Sequence, residues 1–160
     1  MTPRRTLATV SLLALATLVA GASMLTAGTP SARSITLVVH YEPKSFKTDD
    51  VAPKGTSAGD QTFFTGTLTR NGKSAGRLED MDIAIDRQIQ GFARWATLLL
   101  PEGTIVAAGA GGNKSATGWH PSATDTLAVL GGTKAYNGAT GEITIRDRAD
   151  GTQRLTITLH

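Results

Sequence analysis

From residue 34 to the end, apolar and polar residues alternate with the period of two that an extended strand imposes. Ile35, Leu37, Val39 and Tyr41 fall on one face of a predicted first strand over 34–42. Thr36, Val38, His40 and Glu42 fall on the other. Pro43, which has no N–H to give to a ladder, ends it. Residues 46–58, with Pro53 and Gly55, read as a long loop. Further strands are predicted over 60–69, 74–85, 92–100, 104–110, 124–130, 142–147 and 153–160. Asn71-Gly72 is the strongest hairpin signal, a type I′ turn. Pro101-Glu102-Gly103 and Asp150-Gly151 turn two more pairs, and residues 109–118 form a glycine-rich loop. No long helical period and no internal repeat interrupts the pattern. Eight strands with mostly short connections predict an all-β fold, an eight-stranded antiparallel closed barrel, because closure removes exposed edges. Side chains can fill the interior of a barrel of this size, or it can hold one small ligand.

The first 32 residues break the alternation. Arg4 and Arg5 precede an apolar run over 7–19, and small residues follow, with Ala20-Gly21-Ala22 matching an A-x-A exit. Exits after Ala27, Gly28 or Ala32 also fit. The run is short for a membrane span, which needs about 20 apolar residues. Residues 1–32 are therefore predicted to be a signal peptide, and residues 33–160 a single barrel domain, secreted and without stable membrane association after cleavage. The Arg4-Arg5 pair also admits a twin-arginine route, with Pro3 where Ser or Thr is usual.

This changes the charge picture. The chain has 16 Lys and Arg against 13 Asp and Glu. Without Arg4 and Arg5 the balance is nearly neutral, and no basic stripe points to nucleic acid. Cysteine is absent, which excludes disulfides and thiol catalysis.

Four blocks resemble the allene oxide cyclase/dirigent-like barrel family. They are residues 50–60, leading into the second strand; Phe64-Thr65-Gly66-Thr67-Leu68 with the Asn71-Gly72 hairpin; Leu100-Pro101-Glu102-Gly103-Thr104-Ile105; and Gly131-Gly132-Thr133 with Tyr136 and Gly138-Ala139-Thr140-Gly141. The resemblance implies a small antiparallel barrel, monomeric or homotrimeric (plant members are often trimers), that handles an apolar or phenolic small molecule without a cofactor. The plant cyclase uses a first-strand glutamate, and Glu42 can be placed on it. Lys44 and Gly66 stand where that enzyme's water-holding asparagines belong. Thr140 stands where dirigent proteins typically place an arginine.

Several residues carry candidate chemistry. His40 and Glu42 point the same way from one strand, which makes them either a catalytic acid–base pair in a cavity or part of a solvated face. Arg94 lies in the apolar run of the fourth strand. It either points inward, where it needs a partner such as Glu42, or lies outside with its stem over apolar surface. Phe63, Phe64, Trp95 and Tyr136 are candidates for lining a ligand cavity, and Trp119 belongs to the same aromatic stock. Glu79, Asp80, Asp82 and Asp86 alternate with Met81, Ile83 and Ile85 and read as a solvated strand face. No metal site is expected, since His40-x-Glu42 lacks a third ligand nearby and His120 and His160 are isolated. Residues 109–115 fail as a phosphate loop because Asn113 replaces a glycine. Asn113-Lys114-Ser115 is a glycosylation sequon, and no serine elbow is present. Two readings follow: an exported small-molecule barrel, cyclase-like (an isomerase) or dirigent-like, and a non-catalytic structural or interaction barrel with a packed interior.

Overall fold

A computed structural model describes residues 32–51, 53–55, 57–86, 91–112 and 124–160. The predicted signal segment (apart from Ala32), the sequon, Trp119 and His120 lie outside them. The strands are β1 (Arg33–Tyr41), β2 (Lys47–Asp49), β3 (Gln61–Arg70), β4 (Lys73–Asp86), β5 (Gly91–Leu100), β6 (Gly103–Gly112), β7 (Thr124–Gly132), β8 (Gly141–Asp147) and β9 (Gln153–Leu159). Each antiparallel neighbour pairs in turn, from β3 through β9 and then to β1. β1 closes the ring on β3, with Val38 to Tyr41 opposite Thr69 to Gly66. The predicted eight-stranded closed barrel is thus formed. Among the described residues the only helical elements are two short 3₁₀ turns, Pro43–Ser45 and Lys134–Tyr136.

Two segments depart from expectation. β2, a short extra strand, lies inside the predicted loop and pairs with the start of β3, Lys47 opposite Phe63. It shares β3 with β1, and Ser45 bridges the gap between them. Its hydroxyl accepts from the Thr65 N–H at 2.9 Å and donates to the Thr65 carbonyl at 3.1 Å. Three polar residues, Lys47-Thr48-Asp49, carry no apolar alternation, so only pairing with β3 defines this strand. β6 also runs on through the glycines to Gly112, because β5 offers it a full ladder up to Gly91.

The interior is an aliphatic column. Leu37, Val39, Leu68, Leu98, Ile105, Ala107, Leu127 and Ile157 are wholly buried, and each large aliphatic side chain contributes about 1.5–3 kcal/mol by leaving water. At the seam between β1 and β3, Gly66 faces inward. A Cβ there would lie 2.8 Å from Val39 Cγ1, so the position has no room for the polar side chain that the cyclase resemblance placed there. The Asn71-Gly72 turn has positive φ at both residues, 53° and 74°, as type I′ requires. Next to it, β4 bulges at Gly76 (φ 134°), where a Cβ would collide with the Leu99 carbonyl oxygen at 2.1 Å. The β3–β4 register slips here, between Leu68 and Thr69. Ala75 and Leu78 consequently both point inward, and after Leu78 the inward places of β4 fall to Asp80 and Asp82.

That slip corrects the reading of the acidic run. Asp80 is buried at 6% exposure, whereas Glu79 and Ile85 are exposed and Met81 and Ile83 half-buried. The carboxylates of Asp80 and Asp82 face in, and the apolar residues between them face out. Alternation assigns two faces to a strand but does not say which is inner; the bulge decided it.

Candidate functional site

All strands of the barrel begin or end at two rims. One carries the end of β1, the start of β3, the end of β4, the start of β5, the end of β8 and the start of β9. At this rim the inward positions change from aliphatic to polar and aromatic. Tyr41 continues the face of Leu37 and Val39, Phe64 that of Leu68, Asp80 and Asp82 that of Leu78, Arg94 that of Ala96 and Leu98, and Gln153 that of Leu155. All but Asp80, which lies behind Arg94, border a cavity of about 600 Å³, also walled by Pro43, Phe46, Thr62 and Gly151.

Arg94 and Asp82 are direct cross-strand partners on β5 and β4. The guanidinium makes a two-pronged pair with that carboxylate, Nε to Oδ1 at 2.7 Å and Nη2 to Oδ2 at 2.9 Å. The Asp80 carboxylate lies 3.6 Å from Nε, and that of Asp125 on β7 4.0 Å from Nη1. Two rings flank the cation, Phe92 at 5.1 Å and Phe64 at 5.5 Å from centroid to guanidinium carbon. Burial opposes the charge on Arg94. The bond to Asp82 and the charge of Asp80 outweigh it, so the guanidinium's pKa stands above its ordinary value.

Asp80 is in the opposite position. Its side chain is 1% exposed, and its Oδ1 has no hydrogen-bond partner among the described residues. Burial pushes its carboxyl up to about 7, against the pull of Arg94 and with the help of Asp82. Arg94 holds Asp82 through two hydrogen bonds and reaches Asp80 only through space. The result is a buried acid able to hold or release a proton near neutral pH.

On the opposite wall the Tyr41 hydroxyl donates to Gln153 Oε1, and Gln153 Nε2 donates to Asp147 Oδ1 at 2.7 Å. The Tyr41 ring meets Phe64 edge-on at 5.3 Å and tilts against Phe46 at 5.9 Å. Phe46 in turn stacks on Phe64 at 5.2 Å. Burial raises the Tyr41 pKa and Arg94 opposes the rise, which leaves the phenol protonated.

Of the residues singled out in the sequence, the structure brings Arg94 and Phe64 to this cavity and leaves the others elsewhere. His40 is exposed, its Nε2 3.3 Å from the Thr69 hydroxyl. Glu42 lies past the end of β1, half-buried, accepting from the Thr65 hydroxyl at 3.3 Å. The expected pairing of Glu42 with Arg94 is corrected: Tyr41 takes the inward place at the end of β1, so Glu42 follows the outward parity of His40. Phe63 and Trp95 are exposed on the outer surface, aligned through Met81 in one cross-strand row. Tyr136 is buried at the other rim, with the Arg33 guanidinium carbon 5.6 Å from its ring centroid. It closes the barrel there and does not line the cavity. Sequence reasoning missed Phe46, Asp80, Asp82, Asp147 and Gln153 as site residues. Tyr41 was visible as an inward residue, since it continues the Ile35-Leu37-Val39 face, but nothing local marked it as part of a site. Among the described residues no cluster of metal-ligating side chains forms.

No protein-family model matches the sequence, and no curated protein sequence matches it. Solved structures do. The chain superposes on a pyocyanin demethylase with a TM-score of 0.65 at 23% identity, covering 80% of this chain and 100% of that one. On the pterocarpan synthase dirigent protein GePTS1 the TM-score is 0.58 at 17% identity, over 80% and 82% of the two chains. On the Diels–Alderase AbmU from Streptomyces koyangensis it is 0.63 at 17% identity, over 81% of this chain and 63% of that one. At these identities the likeness establishes the fold alone, a closed antiparallel barrel of the kind that the resemblance of the glycine-bearing blocks implied.

Proposed function

We propose that the protein is an exported barrel that binds an apolar or phenolic small molecule at its polar rim and guides a ring closure there without a cofactor. The observation that carries this reading is the cavity itself. A volume of about 600 Å³ lies against three packed aromatic rings and a few converging polar groups, which is the composition of small-molecule sites. The neighbours of the same fold bear names that describe small-molecule chemistry (a demethylase, a dirigent protein and a Diels–Alderase). An intramolecular ring closure conserves atoms and electrons, so the chain's own groups suffice for it. Arg94 supplies fixed positive charge for developing negative charge, and the rings a surface that selects one folded shape of the ligand. The filled aliphatic half of the interior supports the second reading, a structural barrel.

Mass spectrometry of small molecules retained by the purified protein tests the choice. A ring-bearing compound retained by the wild type and lost on Phe64→Ala, with the fold intact, is expected. A protein that carries and binds none would leave the structural reading. We also infer export with a mature start between residues 23 and 33, to be read by intact mass of secreted material. Self-association, as the homotrimer that the resemblance implies, is inferred from the outer-wall row of exposed Phe63 and Trp95 with half-buried Met81 between them, to be read by light scattering. A full-length membrane-bound product, or a strict monomer, would overturn these two inferences respectively.

A further inference from the structure

The chain of hydrogen bonds along one wall of the cavity has a direction that its chemistry dictates. A carboxylate only accepts, so the Gln153 atom 2.7 Å from Asp147 Oδ1 is the amide nitrogen. The amide oxygen therefore faces Tyr41. An amide oxygen also only accepts, so the bond between them is made by the phenol's hydrogen. Tyr41 has one hydrogen, and it is used. Burial keeps the phenol protonated, so no second state of the hydroxyl competes. What remains for a bound molecule is the lone-pair side of the Tyr41 oxygen.

The three residues come from three adjacent strands, β1, β9 and β8. Asp147 and Gln153 are direct cross-strand partners, and Gln153 also sits opposite Val39 on β1. The Tyr41 ring cannot swing away, since Phe64 and Phe46 pack against it. Tyr41 and Gln153 both line the cavity. We propose that Gln153 and Asp147 are positioning residues that make the Tyr41 hydroxyl a hydrogen-bond acceptor at the cavity wall, so that the site selects ring-bearing ligands presenting an O–H or N–H donor. This rests on the ligand-binding reading above and specifies what that ligand must carry. A ligand offering only an acceptor at this point would face lone pairs with lone pairs, leaving both unsatisfied.

The test uses two probes on the same ring system, 2-naphthol and 2-methoxynaphthalene, with naphthalene as a size control, titrated calorimetrically into the protein. Wild type is expected to bind 2-naphthol about tenfold more tightly than either donor-less probe, a difference of about 1.4 kcal/mol. Gln153→Leu releases the Tyr41 hydrogen to turn toward the cavity, so the preference should fall to about threefold or less. The double substitution Gln153→Glu with Asp147→Asn lets the new amide donate to the new carboxylate, which still accepts from Tyr41, and should retain the preference, which a merely structural role for Gln153 does not predict. Tyr41→Phe removes the acceptor, should abolish the preference, and carries the test if Gln153→Leu fails to fold. Equal binding of all three probes by wild type, or an unchanged preference in folded Gln153→Leu, overturns the donor selectivity while the ligand-binding cavity stands. If no probe binds, both proposals fall.

Discussion

The two halves of this barrel's interior use the same strand alternation for opposite ends. Toward the rim that carries both chain termini of the barrel, the wholly buried inward residues of the strands are aliphatic, and Tyr136 closes the end. Toward the other rim the same inward files end in Tyr41, Phe64, Asp80, Asp82, Arg94 and Gln153. One half gains its stability mainly from apolar burial, with unpartnered polar atoms, among the described residues, only toward its rim, such as the Tyr136 hydroxyl and the Arg70 guanidinium. The other holds charges out of water, where each depends on a particular partner. The contrast teaches that the site is not an insertion on the fold. It is the barrel core itself, rewritten over the last inward residue or two of each strand.

The sharpest way to break the comparison is to remove Arg94, the cation that the polar half buries among the described residues. Arg94→Met leaves Asp80 and Asp82 facing each other in a buried setting, and denaturant melts near pH 7 should show a loss of about 3–5 kcal/mol. An unchanged midpoint would mean that water already solvates the pair. In the aliphatic half, Leu98→Ala removes a wholly buried side chain. It should cost about 2–5 kcal/mol without altering ligand preference. A change in preference would show that the two halves are coupled.

A subtler effect separates the halves by pH. The folded-state pKa of Asp80, about 7, lies above its ordinary value of 3.8. The folded protein therefore binds this proton more tightly than the unfolded chain does. The stability it confers is complete below pH 3.8 and is lost as pH rises to about 7. Within that window wild type should lose up to about 1.4 kcal/mol per pH unit relative to Asp80→Asn. Parallel stability curves for the two proteins would show that Asp80 is ionised throughout. The Leu98→Ala difference should stay flat over the same range. The smallest effect is expected at Glu42, which the structure leaves outside both halves. Glu42→Ala should change stability by no more than about 0.5 kcal/mol, and a loss of several kcal/mol would return Glu42 to the interior.

Much of the fold was legible in the residues themselves. The Ile35-Leu37-Val39-Tyr41 face, the Asn71-Gly72 turn and the glycine-bearing blocks located eight strands and their closure, because strand alternation and turn chemistry are local properties. β2 was not legible, since its three polar residues form a strand only against β3. The site was legible in part. Arg94 stood out as a charge in an apolar run, and its need for a partner followed from the cost of an unpaired buried charge. The partner did not follow. Glu42 was nearer to hand by resemblance, whereas Asp82 faces Arg94 only through the β4–β5 register.

The sequence by itself determined which positions alternate, where the chain turns and that one arginine, if it pointed inward, would need a carboxylate. Only the tertiary structure decided that the acidic face of β4 is the inside. On β4 that choice depends on a one-residue slip at Gly76, and a slip of one residue exchanges every side chain between core and surface. Asp80 and Asp82 entered the barrel, and Met81 and Ile83 left it, because a parity set by cross-strand pairing is invisible to a pattern that is symmetric under exchange of its two faces.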